Sequence, residues 1–454
     1  MCRCRVRHGV IGALSIRVVA GRIVSRRAAP YFFMAKMRSY PMKSPPAGEA
    51  AALLEETGRC VACGLCLPVC PTYRKIGSEA DSPRGRIAMI QGVLSGHFSP
   101  SARFWHHLDL CLGCRACENV CPSRVTYGHL LDGVRASLAP GGKTTRGLRW
   151  LVQKPWRLAW LGTVLSVWHA FGIGRLLQRI PGLRQRPLLR LAGTLPPAFA
   201  PLHWRKRYPA AGKTRGDVAL FLGCVARVMD AATLNAAVYV LNRLGYTVHV
   251  PRGQACCGGL HRQDGDRDTA EALAQQNIQA FSALGVSTII SVASGCGMTL
   301  AETFAAREGM VVREISEFLT AAEGWPHVTI QPLPAIIRVH DPCSLANVAH
   351  GEDYPYRLLR RIPQARVEPL PDNGQCCGAA GSYFLRQPAM AAALLDDKME
   401  AIRQKEAPYL ATSNVGCALH LAQGIQAAGL NAAVMHPVML LAQQMGYKNR
   451  NEPR

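Results

Sequence analysis

The chain has 454 residues, 49% of them apolar, which is enough for about three domains with buried cores. Its formal net charge of +24 suggests nucleic-acid binding, but the charge is confined to two segments. Residues 1–43 hold ten Lys and Arg, residues 133–216 hold sixteen, and neither segment contains an acidic residue. The rest of the chain is nearly neutral, which excludes a protein that is basic over its whole surface.

Residues 1–50 form a basic arm followed by a linker rich in Pro, Ala and Gly. The arm is similar in composition to an Arg-rich transit peptide or a weak signal sequence, but its apolar run at 10–16 is too short to span a bilayer. A start codon assigned too early is the alternative explanation, because three methionines lie downstream: Met34, Met37 and Met42. We treat Cys2 and Cys4 as incidental to function.

The most specific motif is a cysteine pattern, C-x2-C-x2-C-x3-C-P, that occurs twice. Its members are Cys60, Cys63, Cys66 and Cys70 in the first run, and Cys111, Cys114, Cys117 and Cys121 in the second. In this pattern three thiols of one run bind one [4Fe–4S] cluster, while the fourth, which precedes Pro, binds the other cluster. We therefore expect one ligand set of Cys60, Cys63, Cys66 and Cys121, and a second of Cys111, Cys114, Cys117 and Cys70.

Zinc knuckles and a disulfide framework are the alternatives for these cysteines. Zinc sites use two C-x2-C pairs or include His, and not three closely spaced cysteines plus one. The chain has eighteen cysteines, and their arrangement in metal-type motifs indicates a reducing compartment, where disulfides are rare. The spacing thus favours a two-cluster domain over residues 51–132.

A spacer of 40 residues separates the two cysteine runs. Apolar residues within 83–93 recur at helical spacing, so we expect helices in the spacer and not a hairpin. Arg84 and Arg86 begin this segment. Two interpretations stay open for them: a position near a cluster or a partner surface, or a solvated helix start.

The acid-free segment 133–216 carries Trp156, Trp160 and Trp168 among basic residues. Its longest stretch without a full charge is 17 residues, 158–174, whereas a membrane-spanning helix needs about 20 apolar residues. We therefore expect no span here. Two alternatives remain: a basic amphipathic helix on an anionic membrane surface, or a helical linker packed on a partner or on the chain's own domains.

Residues 217–330 and 331–447 form an internal repeat. In each copy one predicted strand leads to a single Cys, a second leads to Cys-Cys-Gly, and a third leads to a last Cys. The cysteines are Cys224, Cys256, Cys257 and Cys296 in the first copy, and Cys343, Cys376, Cys377 and Cys417 in the second. The single Cys precedes the pair by 32 and 33 residues, and the last Cys follows the pair by 39 and 40.

Alternating strands and helices predict a parallel sheet in each copy. The carboxyl ends of parallel strands meet at one edge, so the four thiols of a copy should converge there and form a cofactor or redox site. Burial explains a single Cys well, but it does not explain vicinal pairs at matching offsets in two copies. The predicted fold is therefore mixed α/β, with an N-terminal α-helical two-cluster ferredoxin domain followed by two repeated α/β cysteine-rich domains.

Taken together, the motifs over residues 51–445 resemble those of the glycolate oxidase iron–sulfur subunit family. The resemblance rests on the two cluster motifs, the two Cys-Cys-Gly repeats, and local sequences such as Cys70-Pro-Thr-Tyr73, Asp81-Ser-Pro-Arg-Gly-Arg86, Ala293-Ser-Gly-Cys-Gly297, Cys376-Cys-Gly-Ala-Ala-Gly-Ser-Tyr383 and Ser413-Asn-Val-Gly-Cys-Ala-Leu-His420. The chain is similar, more distantly, to lactate-utilisation iron–sulfur proteins, to the iron–sulfur component of anaerobic glycerol-3-phosphate dehydrogenase, and to heterodisulfide reductases.

The resemblance implies an electron-transfer subunit without catalytic residues of its own. It implies an FAD-linked partner subunit that oxidises glycolate to glyoxylate, a quinone-type acceptor, and a position in the cytoplasm on the inner face of the cell membrane. D-lactate and glycerol 3-phosphate are alternative substrates of such a complex, and thiol–disulfide reduction is an alternative activity. The sequence has no Rossmann or Walker motif and no nucleic-acid recognition motif, so we do not expect it to bind nucleic acid.

One departure from the heterodisulfide reductase pattern concerns the cysteine-rich repeats. Those repeats end in C-x2-C and so supply a fifth thiolate, whereas here Met298 and Thr299 follow Cys296, and His420 lies three residues after Cys417. Each copy therefore offers four thiols. Four thiols suffice for one further [4Fe–4S] cluster per copy, and the resemblance leaves the total between two and four clusters.

Overall fold

The computed structural model describes residues 47–138, 146–154, 156–158, 160, 162–164, 204–305 and 309–448. The basic arm, Cys2, Cys4 and Trp168 lie outside these residues. The described residues belong to one compact unit. The domain limits expected from the sequence stay predictions.

The N-terminal part is a set of short helices around the two cysteine runs. The helices are α1 (Ala47–Gly58), α2 (Pro71–Ile76), α3 (Pro83–Leu94), α4 (Ala102–Asp109), α5 (Ala116–Asn119) and α6 (Tyr127–Leu138), with a 3₁₀ turn at Glu79–Asp81. The spacer between the runs is helical, as its apolar spacing predicts. The first cysteine run connects α1 to α2, and the second surrounds α5.

The spacer helices start at capping residues that the sequence supplies. The Ser82 side chain accepts a hydrogen bond from the Gly85 backbone N–H at the start of α3, and Ser101 accepts one from Phe104 at the start of α4. The apolar faces of α3, α4 and α6 then form one core, which includes the fully buried Ile90, Leu108, Leu130 and Val134. Four cluster-motif cysteines pack against this core: Cys60, Cys111, Cys117 and Cys121.

After α7 (Arg146–Gln153), the first repeat builds a five-stranded sheet. Its strands are β1 (Arg207–Tyr208), β2 (Gly216–Phe221), β3 (Tyr246–His249), β4 (Thr288–Ser291) and β5 (Val311–Glu314), in the order β1-β3-β2-β4-β5. Strands β2 to β5 are parallel, and β1 is an antiparallel edge strand. The described helices are α8 (Ala226–Met229), α9 (Ala231–Arg243), α10 (Gly259–Gln263), α11 (Arg267–Ser282), α12 (Ser294–Phe304) and α13 (Ile315–Ala321).

The second repeat builds a four-stranded parallel sheet with the same strand order. Its strands are β6 (Ile336–His340), β7 (Arg366–Pro369), β8 (Tyr409–Thr412) and β9 (Ala433–Met435), in the order β7-β6-β8-β9. The described helices are α14 (Asp353–Leu359), α15 (Tyr383–Arg386), α16 (Pro388–Gln404), α17 (Val415–Ala427) and α18 (Pro437–Gln444), with a π-helical turn at Leu345–Ala349. The structure therefore has the predicted mixed α/β fold.

The two repeats bury apolar faces against each other. One hydrophobic cluster contains Leu220 and Leu241 of the first repeat together with Leu358 and Leu441 of the second, all four fully buried. Helix α9 of the first repeat packs on α18 of the second. Removing apolar surface from water contributes about 25 cal/mol per Å² to stability, and this shared core therefore holds the two repeats in a fixed relation.

Arg86 is buried in the helical part, with 1% of its surface exposed. Its Nε donates to the His107 carbonyl oxygen at 2.7 Å, and its Nη2 donates to Thr72 Oγ1 at 3.0 Å. Asp81, also buried, lies 3.8 Å from Nη2 and accepts a hydrogen bond from His107 Nδ1 at 2.8 Å. A solvated helix start is therefore the wrong interpretation for Arg86, whereas Arg84 is partly exposed and pairs with Glu79.

Replacing Arg86 with Leu should lower the free energy of unfolding by about 3 kcal/mol or more, because removing one partner leaves a buried charge on Asp81 uncompensated. The measurement is urea unfolding of anaerobically purified protein, followed by far-ultraviolet circular dichroism. Arg403→Leu is the matched control, and we expect little change because Arg403 forms an exposed ion pair with Glu400. Equal stability of the two variants would contradict this assignment.

Candidate metal centres

The first group of thiols lines a cavity beside α3. Its wall contains Cys60, Cys63 and Cys66 of the first run and Cys117 and Cys121 of the second. The loop between Cys60 and Cys66 faces solvent, since Cys63 is exposed and its neighbours Val61 and Leu65 are 68% and 56% exposed. Burial raises the pKa of Cys66, whose thiol lies deeper in the loop.

The second group of thiols lines a separate cavity. Its wall contains Cys70 of the first run and Cys111, Cys114 and Cys117 of the second, together with Arg86. Burial raises the pKa of Cys114 and of Cys117 well above the usual value for a thiol. The first cavity thus contains three thiols of the first run and two of the second, the second cavity contains one and three, and Cys117 lines both.

The two runs share a backbone turn. Ala62 and Gly64 have φ values of 55° and 85°, and the residues at the same places in the second run, Gly113 and Arg115, have 66° and 58°. A left-handed conformation at a non-glycine residue costs about 1 kcal/mol and persists where its surroundings fix it. Gly113 N–H is turned towards the Cys111 sulfur at 3.4 Å. Both loops are therefore wound in the same way around their thiols.

The chemistry of this donor set fits iron–sulfur clusters. All sixteen cysteines among the described residues are free thiols, and eight of them line the two cavities. Thiolate sulfur is the ligand that [4Fe–4S] clusters take, and four thiols serve each cluster. No three His, Cys, Asp or Glu side chains in the described ranges are arranged around a single metal ion.

The first repeat brings its four thiols to the carboxyl edge of its sheet. Cys224 follows β2, the pair Cys256 and Cys257 follows β3, and Cys296 lies in the first turn of α12 after β4. The sulfurs of Cys256 and Cys224 are 3.4 Å apart. Hydrogen bonds from the thiols of Cys256 and Cys296 hold the pKa of Cys257 well below its usual value. The hydrogen bond to Cys257 and then burial raise the pKa of Cys296.

The second repeat gathers its thiols in the same way. Cys343 follows β6, Cys376 and Cys377 follow β7, and Cys417 lies in the first turn of α17 after β8. The hydrogen bond to Cys376 and then burial raise the pKa of Cys343 well above its usual value. Gly378 has a φ of 90°, and an added Cβ would lie 2.7 Å from the carbonyl oxygen of Ala391, so the Cys-Cys-Gly turn requires glycine.

The second repeat packs directly on the second thiol group of the helical part. Leu112 and Tyr383 are buried in one hydrophobic cluster with Cys376, and Cys114 and Cys343 pack against it. The Tyr383 hydroxyl donates to the Leu110 carbonyl oxygen at 2.9 Å. Consistent with this proximity, the charge of Cys343 contributes to the raised pKa of Cys114, after burial. The cysteine spacing contained no signal of this contact.

The thiol sites of the two repeats lie next to each other as well. Ser294, two residues before Cys296, has its Oγ 2.7 Å from the Oγ of Ser344, which follows Cys343. The Ser294 backbone N–H also donates to the carbonyl oxygen of Ser413 at 3.0 Å. Contacts therefore run from the second helical thiol group to the second repeat, and from there to the first repeat.

Two buried cations lie near thiols: Arg86, for which the sequence left a position near a cluster open, and Lys398, which sequence analysis missed. Arg86 lines the second cavity, and the charges of Cys111 and Cys70 help to raise its pKa against the effect of burial. Lys398 is 1% exposed, and its Nζ donates to the Asp372 carbonyl oxygen at 2.8 Å. Burial lowers the pKa of Lys398, and the thiols of the Cys-Cys pair oppose that shift.

The burial of Lys398 is predictable from its position in the sequence. It lies four residues after Leu394 and four before Ile402, both of them buried, so it belongs to the apolar stripe of α16. A lysine on such a stripe is buried unless its side chain carries the ammonium group out to solvent. A buried charge needs a polar or charged partner. The stripe therefore points to a buried cation on the helix that follows the Cys-Cys-Gly turn.

No helix among the residues that the structure describes is long and apolar enough to cross a membrane. Most of residues 158–174, for which the sequence predicts no span, lie outside the described residues.

Two family models match the chain in the regions described above. A model described as a 4Fe-4S dicluster domain matches residues 56–125. A model described as a cysteine-rich domain matches twice, at residues 218–301 and 337–422. The first match covers both cysteine runs, and the other two cover the four thiols of the respective repeat. The predicted fold class is thereby confirmed.

Several bacterial proteins are similar to this chain over all or part of its length. The probable glycolate oxidase iron–sulfur subunit of Bacillus subtilis is 34% identical over 86% of this chain and 94% of its own length. The glycolate oxidase iron–sulfur subunit of Escherichia coli is 30% identical over 80% of this chain and 89% of its own length. Lactate utilization protein A of Anoxybacillus flavithermus is 25% identical over 48% of this chain and 96% of its own length.

These matches confirm [4Fe–4S] clusters as the cofactors of the chain and an electron-transfer role within an oxidoreductase. With two relatives at 30% identity or more over nearly their full length, the chain belongs to the family of glycolate oxidase iron–sulfur subunits.

Proposed function

We propose that this chain carries electrons from an FAD-linked subunit, which oxidises glycolate to glyoxylate, to a quinone-type acceptor on the cytoplasmic face of the cell membrane. The observation that carries the proposal is the pair of adjacent cavities lined by the eight thiols of the two runs, with Cys117 in the wall of both. The names of the two full-length relatives support glycolate as the substrate of the complex. The partner, acceptor and location are parts of this proposal.

The ligand sets that we propose are crossed between the two runs. Cys60, Cys63, Cys66 and Cys121 hold one [4Fe–4S] cluster, and Cys70, Cys111, Cys114 and Cys117 hold the other, as the walls of the two cavities support. When bound, these clusters supply one-electron transfer, whereas a flavin delivers electrons in pairs.

The protein's own residues prepare the two groups differently. Arg86 contributes a buried positive charge to the wall of the second group, which favours ionised thiols. The first group is at the surface, where Val61 and Leu65 flank the exposed Cys63. Exposed apolar residues next to a redox site are suited to contact with a partner protein. We propose that this loop contacts the FAD-linked subunit.

The repeats extend the same arrangement. We assign one further [4Fe–4S] cluster to Cys343, Cys376, Cys377 and Cys417, and one to Cys224, Cys256, Cys257 and Cys296. Support comes from the convergence of four thiols at each sheet edge and from the packing of Cys114 and Cys343 against one cluster of buried side chains. Four ligands per copy match the requirement of a cluster.

Double substitutions distinguish crossed from uncrossed ligation. If the sets are crossed, Cys63→Ser with Cys121→Ser damages one site and should remove about four irons per chain. Cys63→Ser with Cys70→Ser damages both sites and should remove about eight. Iron and acid-labile sulfide are measured on anaerobically purified protein, with electron paramagnetic resonance after dithionite reduction.

Cys4→Ser is the control for these substitutions, because this cysteine lies outside both motifs, and its iron content should equal that of the unsubstituted chain. The opposite result, with the larger iron loss in the Cys63/Cys121 pair, would establish uncrossed ligation. Zinc in place of iron in the unsubstituted protein would refute the cluster assignment altogether.

The substrate is tested by purifying the chain anaerobically with its FAD-linked partner and adding glycolate, D-lactate or glycerol 3-phosphate. Glycolate should reduce a quinone analogue faster than the other two. Combining Cys63→Ser with Cys121→Ser should slow this reduction by more than about tenfold, because the first thiol group connects the flavin to the rest of the chain.

Bleaching of the flavin by glycolate is the internal control, since it needs only the partner subunit and should persist in the variant. A complex that responds to D-lactate and not to glycolate would show that the substrate assignment is wrong. Quinone reduction at an unchanged rate in the variant would show that electrons bypass this chain.

A further inference from the structure

A group of large apolar side chains lies on the surface of the segment that precedes the first repeat. Trp150, Trp156, Trp160 and Val164 are 53%, 64%, 67% and 41% exposed. Residues 156–158, 160 and 162–164 are helical, and the spacing of four places Trp156, Trp160 and Val164 on one helix face. We refer to these four residues as the Trp face.

The opposite side of the same segment is anchored in the protein. Val152 is fully buried and Leu158 nearly so, and both belong to the core of the first repeat. Arg149, also buried, forms ion pairs with Asp264 at 3.6 Å and Asp266 at 3.0 Å. These buried residues fix the orientation of the segment, and the Trp face is therefore exposed.

Basic groups accompany the Trp face. The Arg157 guanidinium lies over the ring of Trp150, 4.1 Å from its centroid, and 5.5 Å from that of Trp156. Lys154 is exposed beside them. The sequence from 133 to 216 contains sixteen Lys and Arg and no acidic residue. An apolar face with this charge pattern is complementary to an anionic surface and is not complementary to a basic one.

Tryptophan has an apolar ring and an N–H donor, and it favours the boundary between lipid headgroups and acyl chains. Arginine beside it pairs with lipid phosphates, each basic residue contributing about 1 kcal/mol near an anionic leaflet. A patch of exposed tryptophans is costly in water unless another surface covers it. These are the properties of a helix that lies in the plane of a membrane surface.

We propose that the Trp face docks the chain on an anionic lipid bilayer. This inference deepens the membrane association in the proposed function and names the surface that provides it. It also places one thiol site next to the lipid, because Val152 and Leu158, which hold the Trp face from within, share a buried cluster with Cys256 and Cys257. The first repeat is then the membrane-proximal one.

The test is flotation of the full-length, anaerobically purified protein with phosphatidylcholine vesicles that contain or lack phosphatidylglycerol. The unsubstituted protein should float with the anionic vesicles, and raised salt should weaken this binding. Combining Trp156→Ser with Trp160→Ser should weaken binding at least about tenfold, because two interfacial rings are lost. Arg157→Glu should reduce binding to the anionic vesicles and leave residual binding to phosphatidylcholine unchanged.

Phe98→Ser and Val311→Ser are the matched controls, since Phe98 is 47% and Val311 52% exposed elsewhere on the chain. Both should bind vesicles as the unsubstituted protein does, and iron content verifies that every variant is folded. Unchanged flotation of the Trp156/Trp160 variant would overturn the proposal. The proposal would also be overturned if that variant lost the FAD-linked partner but still bound vesicles, because the Trp face would then contact a protein.

Dye reduction separates this inference from the proposed function. With a water-soluble dye as acceptor, the Trp156/Trp160 variant in complex with its partner should oxidise glycolate at the rate of the unsubstituted protein, because docking adds nothing to electron transfer in solution. If the unsubstituted complex fails to reduce the dye but floats with anionic vesicles, the proposed function fails and the docking surface stands.

Discussion

Ionised thiols that share a buried site repel one another, and this repulsion is the constraint on which the arrangement of the protein depends. Sixteen free thiols are gathered among the described residues, most of them partly or fully buried. Burial raises the pKa of Cys66, Cys114 and Cys117, so without compensating positive charge these thiols stay protonated. Bound iron supplies most of that charge, and coordination deprotonates a thiol outright.

The two repeats share a topology but differ in how they treat this charge. In the first repeat Asn277, fully buried on α11, donates to the Cys256 carbonyl oxygen at 2.9 Å, a neutral interaction with the backbone. In the second repeat Lys398 occupies the helix that follows the Cys-Cys-Gly turn. A buried cation interacts favourably with negative charge on neighbouring thiols, whereas an amide has no net charge. The second repeat, which contacts the helical part, thus has a buried positive charge beside its Cys-Cys pair.

Much of this architecture follows from local sequence, and the rest depends on tertiary packing. The helical spacer was predictable from the apolar spacing in 83–93, and the convergence of thiols in each repeat from the rule that parallel strands end at one edge. The burial of Arg86 was not predictable from local sequence, because its partners on α4 and α2 become neighbours only after the helices dock. The packing of Cys114 near Cys343 likewise joins residues more than two hundred positions apart, and no spacing rule reports such a contact.

The contacts between sites also give the order of the sites along the proposed electron path. The Cys63 loop is exposed, the second group of the helical part packs on the second repeat, and Ser344 of that repeat meets Ser294 of the first. The first repeat, in turn, shares a buried cluster with residues that hold the Trp face. The sites therefore follow one another through the protein, and the two ends of the series are the exposed Cys63 loop and the Trp face. A relay between a soluble flavin subunit and a membrane acceptor requires two different ends, which a chain with one isolated cluster pair does not provide.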